Sequence, residues 1–294
     1  MKNISKIYTY GTSFTKGGGF EFDYSHQKTA LNDFYKKFTP NEERTQFNFS
    51  WPGQLQKYIR EDGSKKFKVI NRAKSGYGFE RMIRKAMSDI KLEDSKNSLF
   101  LFEWPGLGRK EYWFRPLNDY IITNYHYDIE GNESENIQFV ANNDDIYETV
   151  THGIAKTYHE DSQDIINIIS EHQETINKFN SLTIDFKERL NDMSIRIINF
   201  LSFLEYRKIN YHIVSAPFLN GDNHMLYSFD NKEIKPNNDV CDIWRYVSKN
   251  NLTISEETNN LVQDGHGGYI ANKGIAEYIY DYLKNNYKLD KRLF

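Results

Sequence analysis

Three side chains able to move a proton together stand near opposite ends of the chain. Ser13 lies in Lys6-Ile-Tyr-Thr-Tyr-Gly-Thr-Ser-Phe-Thr-Lys-Gly-Gly-Gly19, and Asp264 and His266 lie in Leu261-Val-Gln-Asp-Gly-His-Gly-Gly268. A serine hydroxyl is a weak nucleophile near neutral pH and needs a base to take its proton. Imidazole suits that task, its unperturbed pKa being about 6.5. A carboxylate on the other ring nitrogen fixes the tautomer and stabilises the imidazolium. Brought together, the three would support attack on an acyl carbon. A serine after a glycine also serves simply to close a turn.

Whether they meet depends on the elements that carry them. Ile7 to Tyr10 is a β-branched and aromatic run that predicts a short strand, in a stretch of extended chain beginning around Ile4. Gly11 ends it, which puts Ser13 at the carboxyl edge of a sheet, where open α/β sheets bind their ligands. Ser50-Trp-Pro-Gly predicts a capped start for a helix over Gln54 to Ile59. Lys68 to Asn71 reads as a second strand. Phe79, Met82, Ile83, Ala86, Met87 and Ile90 then mark one apolar helical face. Ser98 to Phe102 is a continuous apolar run suited to a strand buried on both sides. Right-handed crossovers in a parallel sheet bring the three strand-end loops to one edge. Asn210 to Ala216 predicts a further strand, stopped by Pro217 and holding His212 as a partly buried strand residue. A short helix is expected around Asp242 to Val247. Asp264 and His266 precede a last helix over Tyr269 to Tyr287, whose Ile270, Ile275, Ile279 and Leu283 point to the core.

Two stretches depart from this alternation. Residues 116–155 hold eight acidic residues, no Lys or Arg, and no clear period. They read as an insertion, either a lid over the site or a solvated acidic surface. Ile154 to Ala216 has no glycine or proline, and its apolar residues step by three, four and seven. That pattern predicts one very long helix, or two with a break near Asn180-Ser181. Its stripe would pack along the sheet or, over residues 160–206, pair with another subunit.

Composition narrows the function classes. At 294 residues, with 27% charged and 38% hydrophobic, the chain is long enough for a large globular core. The high aromatic share, 15%, can supply core volume and a ring-lined cleft. A net charge of -3 gives no general attraction to nucleic acid or anionic membrane. The single cysteine, Cys241, excludes an intrachain disulfide and a multi-cysteine zinc site. His152 and His159 are spaced too widely for an ordinary ligand pair, so no metal and no cofactor are expected. Gly17-Gly-Gly19 lacks the Gly-Lys-Ser/Thr of a phosphate loop. The apolar window Ile195 to Leu204 is shorter than the roughly 20 residues a bilayer span needs. No leader pattern is visible, so a cytoplasmic location is expected. The abundance of Asn, Lys, Ile and Tyr fits an AT-rich bacterial or phage genome.

Four blocks, in order, resemble those of the SGNH (GDSL-like) hydrolase superfamily. Tyr10-Gly-Thr-Ser-Phe-Thr15 is similar to its nucleophile block, usually Gly-Asp-Ser. Asn71-Arg-Ala-Lys-Ser-Gly76 is similar to the second block, whose glycine lends a backbone N–H to the oxyanion hole. Phe102-Glu-Trp-Pro-Gly106 stands where a Gly-x-Asn-Asp block is expected, and Asp264-Gly-His266 is similar to the last block. The resemblance covers the core of the chain but not the insertion or the long helices.

The resemblance implies one α/β domain over residues 1–294, a flavodoxin-like three-layer sandwich around a central parallel sheet. It implies a serine esterase acting on a small acyl ester through an acyl-serine, for instance an O-acetyl group on a sugar. Ser13 would be the nucleophile, His266 the base and Asp264 its orienter, with the N–H groups of Ser13 and Gly76 as oxyanion donors. An acyltransferase with the same triad, and a non-catalytic glycan- or ligand-binding protein that keeps the fold, are the alternatives. Three departures stand out. Thr12 replaces the usual Asp. Gln263 stands three residues before the histidine, where the family often has its acid. No asparagine occupies the third block, so a donor is missing whose loss typically costs about 10² to 10³ in rate. Trp104 and Arg109 are the candidates to replace it as oxyanion or substrate contacts.

Overall fold

The computed structural model describes residues 2–16, 47–74, 78–92, 95–105, 109–117, 119–124, 138–141, 149–151, 154–155, 167–168, 171–172, 174–175, 178, 186–215, 228–229, 232–233 and 269–289. The fold is mixed α/β. Its centre is a four-stranded, wholly parallel sheet in the order β3 (Lys68–Asn71), β2 (Lys6–Tyr10), β4 (Ser98–Glu103), β10 (Asn210–Ser215). All four carboxyl ends therefore lie on one edge, as the order of strands and loops predicts.

The alternation within the strands sorts the two faces by chemistry. Leu99 and Leu101 face one way with Ile7, Val69 and Val214, and Phe100 and Phe102 face the other with Tyr8, Tyr10 and Ile213. The aliphatic face is covered by α2 (Trp51–Glu61) and α5 (Tyr269–Asn286), through Leu55, Ile59, Ile275, Ile279 and Leu283 among others. The aromatic face is covered by α3 (Phe79–Leu92) and α4 (Phe186–Tyr206). On that face the register sets Tyr8 opposite Phe100 and Tyr10 opposite Phe102, with ring centroids 5.1 and 5.2 Å apart. Stacked pairs of this kind add about 0.5–1.5 kcal/mol each beyond their buried area.

The helices start and pack for local reasons. Ser50 Oγ accepts from Gly53 N, and Pro52 fills the first turn of α2, so the helix begins at Trp51, three residues earlier than the periodicity suggests. The apolar stripe of α4, Met193, Ile197, Phe200, Leu201 and Leu204, lies on the aromatic face of the sheet. Buried Arg189 ties α4 to α3 through Glu80 Oε1 at 2.8 Å, with Asp192 beside it at 3.2 Å. Beyond α5, β13 (Tyr287–Leu289) pairs in parallel with β1 (Lys2–Ile4), just ahead of β2. His212 is a buried strand residue whose Nε2 meets the Tyr287 hydroxyl.

A second, five-stranded antiparallel sheet occupies the acidic stretch. It is a meander of β5 (Arg109–Phe114), β6 (Asp119–Asn124), β7 (Gln138–Ala141), β8 (Thr149–Thr151) and β9 (Ile154–Ala155). It begins before residue 116, because β5 is its first strand. Glu111 on β5 anchors it to α3 by a bidentate pair with Arg84. Burial pushes the Glu111 carboxyl above its ordinary pKa, and the Arg84 contacts pull the other way. A short hairpin joins β11 (Ser228–Phe229) to β12 (Lys232–Glu233). Among the described residues no helix is long and apolar enough to cross a membrane.

Candidate functional site

The strand order defines a switch point in the sheet. The chain leaves β2 towards β3 on one side, by way of α2 on the aliphatic face. It leaves β4 towards β10 on the other side, by way of α4 on the aromatic face. Adjacent strands whose connections diverge in this way open a gap above their carboxyl ends. The β2 end carries Gly11, Thr12 and Ser13, and the β4 end carries Glu103 and Trp104.

Ser13 is the first residue of α1 (Ser13–Lys16), a single turn closed by Lys16 N–H to Thr12 O at 2.9 Å. Glu103, the last residue of β4, is 1% exposed and serves as acceptor for this turn. Its Oε2 accepts from Thr12 N at 3.1 Å and Thr15 N at 3.0 Å, and both threonine hydroxyls donate to the same carboxylate. Four donors account for a charged group at the end of an otherwise buried strand, where an unpaired carboxylate would be costly. They also account for Gly11. A Cβ there would lie 2.7 Å from Thr15 Oγ1 and 2.8 Å from Glu103 Cβ, and would overlap Glu103 Oε2.

The end of β3 holds the turn from the other flank. Asn71 Nδ2 donates to Thr15 O at 2.9 Å, while Asn71 Oδ1 accepts from Thr9 Oγ1 and Ala73 N, each at 3.0 Å. The chain beyond β3 keeps pairing with β2: Arg72 N donates to Thr9 O and Lys74 N to Gly11 O. On the aromatic face, Asp89 of α3 accepts from Tyr10 Oη at 2.8 Å and from Arg72 Nε and Nη2 at 3.1 and 2.9 Å. Burial, with the adjacent Asp89 charge second, pushes the Tyr10 phenol far above its usual range, so it remains a donor.

Trp104 is 2% exposed, its ring within 5.0 Å of Phe79 and 5.6 Å of Phe102. Its Nε1 is buried and, among the described residues, meets no hydrogen-bond acceptor. Arg109 opens β5. The side chains of Ser13 and Arg109, and Gly76, Asp264 and His266 altogether, lie outside the described residues. The direction of α5 is nevertheless defined. Asn272 Oδ1 in its first turn accepts from Trp51 N at the start of α2, and its far end runs into β13 beside β1. It therefore starts at the carboxyl edge and ends at the amino edge. Among the described residues no group of His, Cys, Asp and Glu could hold a metal.

Sequence reasoning passed over Glu103, Asn71 and Asp89 as members of a framework. One signal for the first was present: a carboxylate continuing the run Ser-Leu-Phe-Leu-Phe must be paired if the strand is buried. No protein-family model, curated protein or solved structure matches the chain.

Proposed function

We propose that the protein is a serine ester hydrolase of SGNH type, built on a flavodoxin-like sheet and acting on a small acyl ester. The observation that carries this reading is the Ser13 turn: it stands at the carboxyl edge where the connections of β2 and β4 diverge, gripped from both neighbouring strands. Three further placements support it. The strand order, second-first-third-fourth along the chain, is compatible with a flavodoxin-like doubly wound sheet. Lys74 N–H bonds Gly11 O, and Gly76 follows two residues later. Helix α5 sets out from the same edge three residues after His266, and three residues reach at most about 11 Å.

In the proposed reaction Ser13 Oγ forms a bond to the ester carbonyl carbon and its proton passes to His266. Asp264 holds the imidazolium, and the N–H groups of Ser13 and Gly76 receive the oxyanion. The ester C–O bond then breaks, the alcohol leaving with the proton from His266. Water repeats the sequence on the acyl-serine and releases the acid. An acceptor hydroxyl in place of water would make the same site a transferase.

A second reading, a ligand-binding protein without turnover, is favoured by one observation. Trp104, in the third block, is sunk in a ring stack rather than offering an evident replacement for the absent asparagine. Fluorophosphonate labelling with the adduct mapped by mass spectrometry, alongside hydrolysis of an aryl acetate, decides between them. The hydrolase reading expects an adduct on Ser13 and loss of both signals in Ser13→Ala. An adduct elsewhere, or none, overturns it.

A further inference from the structure

We propose that Glu103 is the positioning residue of this site, setting the attack geometry of Ser13 from the neighbouring strand through its reach rather than its charge. This deepens the reading of Ser13 as nucleophile and rests on it. The carboxylate brackets the serine in sequence, taking the backbone N–H of Thr12 on one side and of Thr15 on the other, and it takes both threonine hydroxyls as well. Ser13 is thus carried on a four-residue arc whose two ends are fastened to one rigid group. That group is fixed in turn, because it ends a strand buried along its whole length and paired on both sides. Gly11 completes the fit, since the volume its side chain would fill is taken by Glu103.

The hydrogen-bond pattern distinguishes reach from charge. Among the described residues, Oε2 receives both backbone N–H groups and the Thr15 hydroxyl, whereas Oε1 receives the Thr12 hydroxyl alone. Glutamine can put its oxygen in the first place and its amide nitrogen in the second, where the Thr12 hydroxyl rotates to accept. It keeps the arc while losing the charge. Aspartate keeps the charge but is one methylene shorter and cannot hold both ends.

The test compares Glu103→Gln, Glu103→Asp and Glu103→Ala in the full-length protein. It uses fluorophosphonate labelling rate, kcat and KM for an aryl acetate, and amide hydrogen exchange at Thr12 and Thr15. The expected result is a fall of about 10² in labelling rate and kcat for Asp and Ala, the usual effect of a misplacement of about 1 Å, with KM little changed. Gln is expected to restore most of what Ala loses, and amide exchange at Thr12 and Thr15 to quicken in Asp and Ala only. Asp outperforming Gln, or all three tracking thermal stability alone, overturns the proposal. If the wild type carries no Ser13 adduct, the esterase reading fails by itself, and exchange then tests the clamp. Quickening in Asp but not in Gln upholds it, and equal rates in both refute it.

Discussion

Gly11→Ala is the smallest change that addresses the Ser13 turn without touching a polar group. The added methyl would sit 2.7 Å from Thr15 Oγ1 and 2.8 Å from Glu103 Cβ, inside the packing distance of both. Glu103 Cβ cannot swing aside, because it is attached to a strand hydrogen-bonded on both flanks. Overpacking at a rigid site costs about 1–3 kcal/mol. Displacing the carboxylate from even one of its N–H donors adds about 1.5 kcal/mol or more for a charged acceptor. A loss of about 3 kcal/mol in unfolding free energy is expected, or about 5 °C in Tm for a chain of 294 residues. Urea denaturation followed by tryptophan fluorescence measures it. Gly63→Ala supplies the control: its φ of +102° is strained for alanine, but among the described residues nothing lies within 4 Å of the new methyl. That variant should lose about 1 kcal/mol or slightly more from backbone strain alone. If Gly11→Ala proves as stable as Gly63→Ala or more so, the steric reasoning about the turn is wrong.

Two further outcomes concern the polar framework. Asp89→Ala strands the Tyr10 hydroxyl in the core and frees Arg72 to reach solvent, with an expected cost of about 2–4 kcal/mol. Asp89→Asn, which still accepts from Tyr10, should cost less, and adding Tyr10→Phe to Asp89→Ala should then cost little more; additivity of the two would contradict the assigned bond. At high pH, the phenols of Tyr211, Tyr280 and Tyr287 are pushed up to about 12, chiefly by burial. In the unfolded chain they ionise near 10, so their contribution is complete below that pH and is lost as the pH rises through about 12. The denaturation midpoint should fall steeply across that window; a midpoint that stays level between about pH 9 and about pH 12 would show the burial argument to be mistaken.

Much of the framework could be read from residue order because its signals are local. The continuous apolar run Leu-Phe-Leu-Phe announces a strand buried on both sides, and the spacing of Phe79 to Ile90 announces α3. The meander was hidden because its strands are short and its pairing is set by partners in other strands. Glu103, Asn71 and Asp89 were hidden for a related reason: each acts on a residue brought beside it only by sheet register. Ser13 could be singled out because a glycine and a serine after an apolar run leave a visible trace. The reason for that glycine, a carboxylate some ninety residues away, leaves none.

The helix that closes the aliphatic face is the last one described along the chain, and its own partner strand, β13, pairs with residues 2–4. During synthesis at about 5–20 residues per second, the roughly 180 residues between Leu101 and Leu283 take about 10–35 s to emerge. For that interval the aliphatic face around Ile7, Leu99 and Leu101 has α2 against it but lacks α5. The nascent protein therefore presents a greasy surface to whatever meets it at the ribosome exit, and folding cannot finish until translation has passed α5.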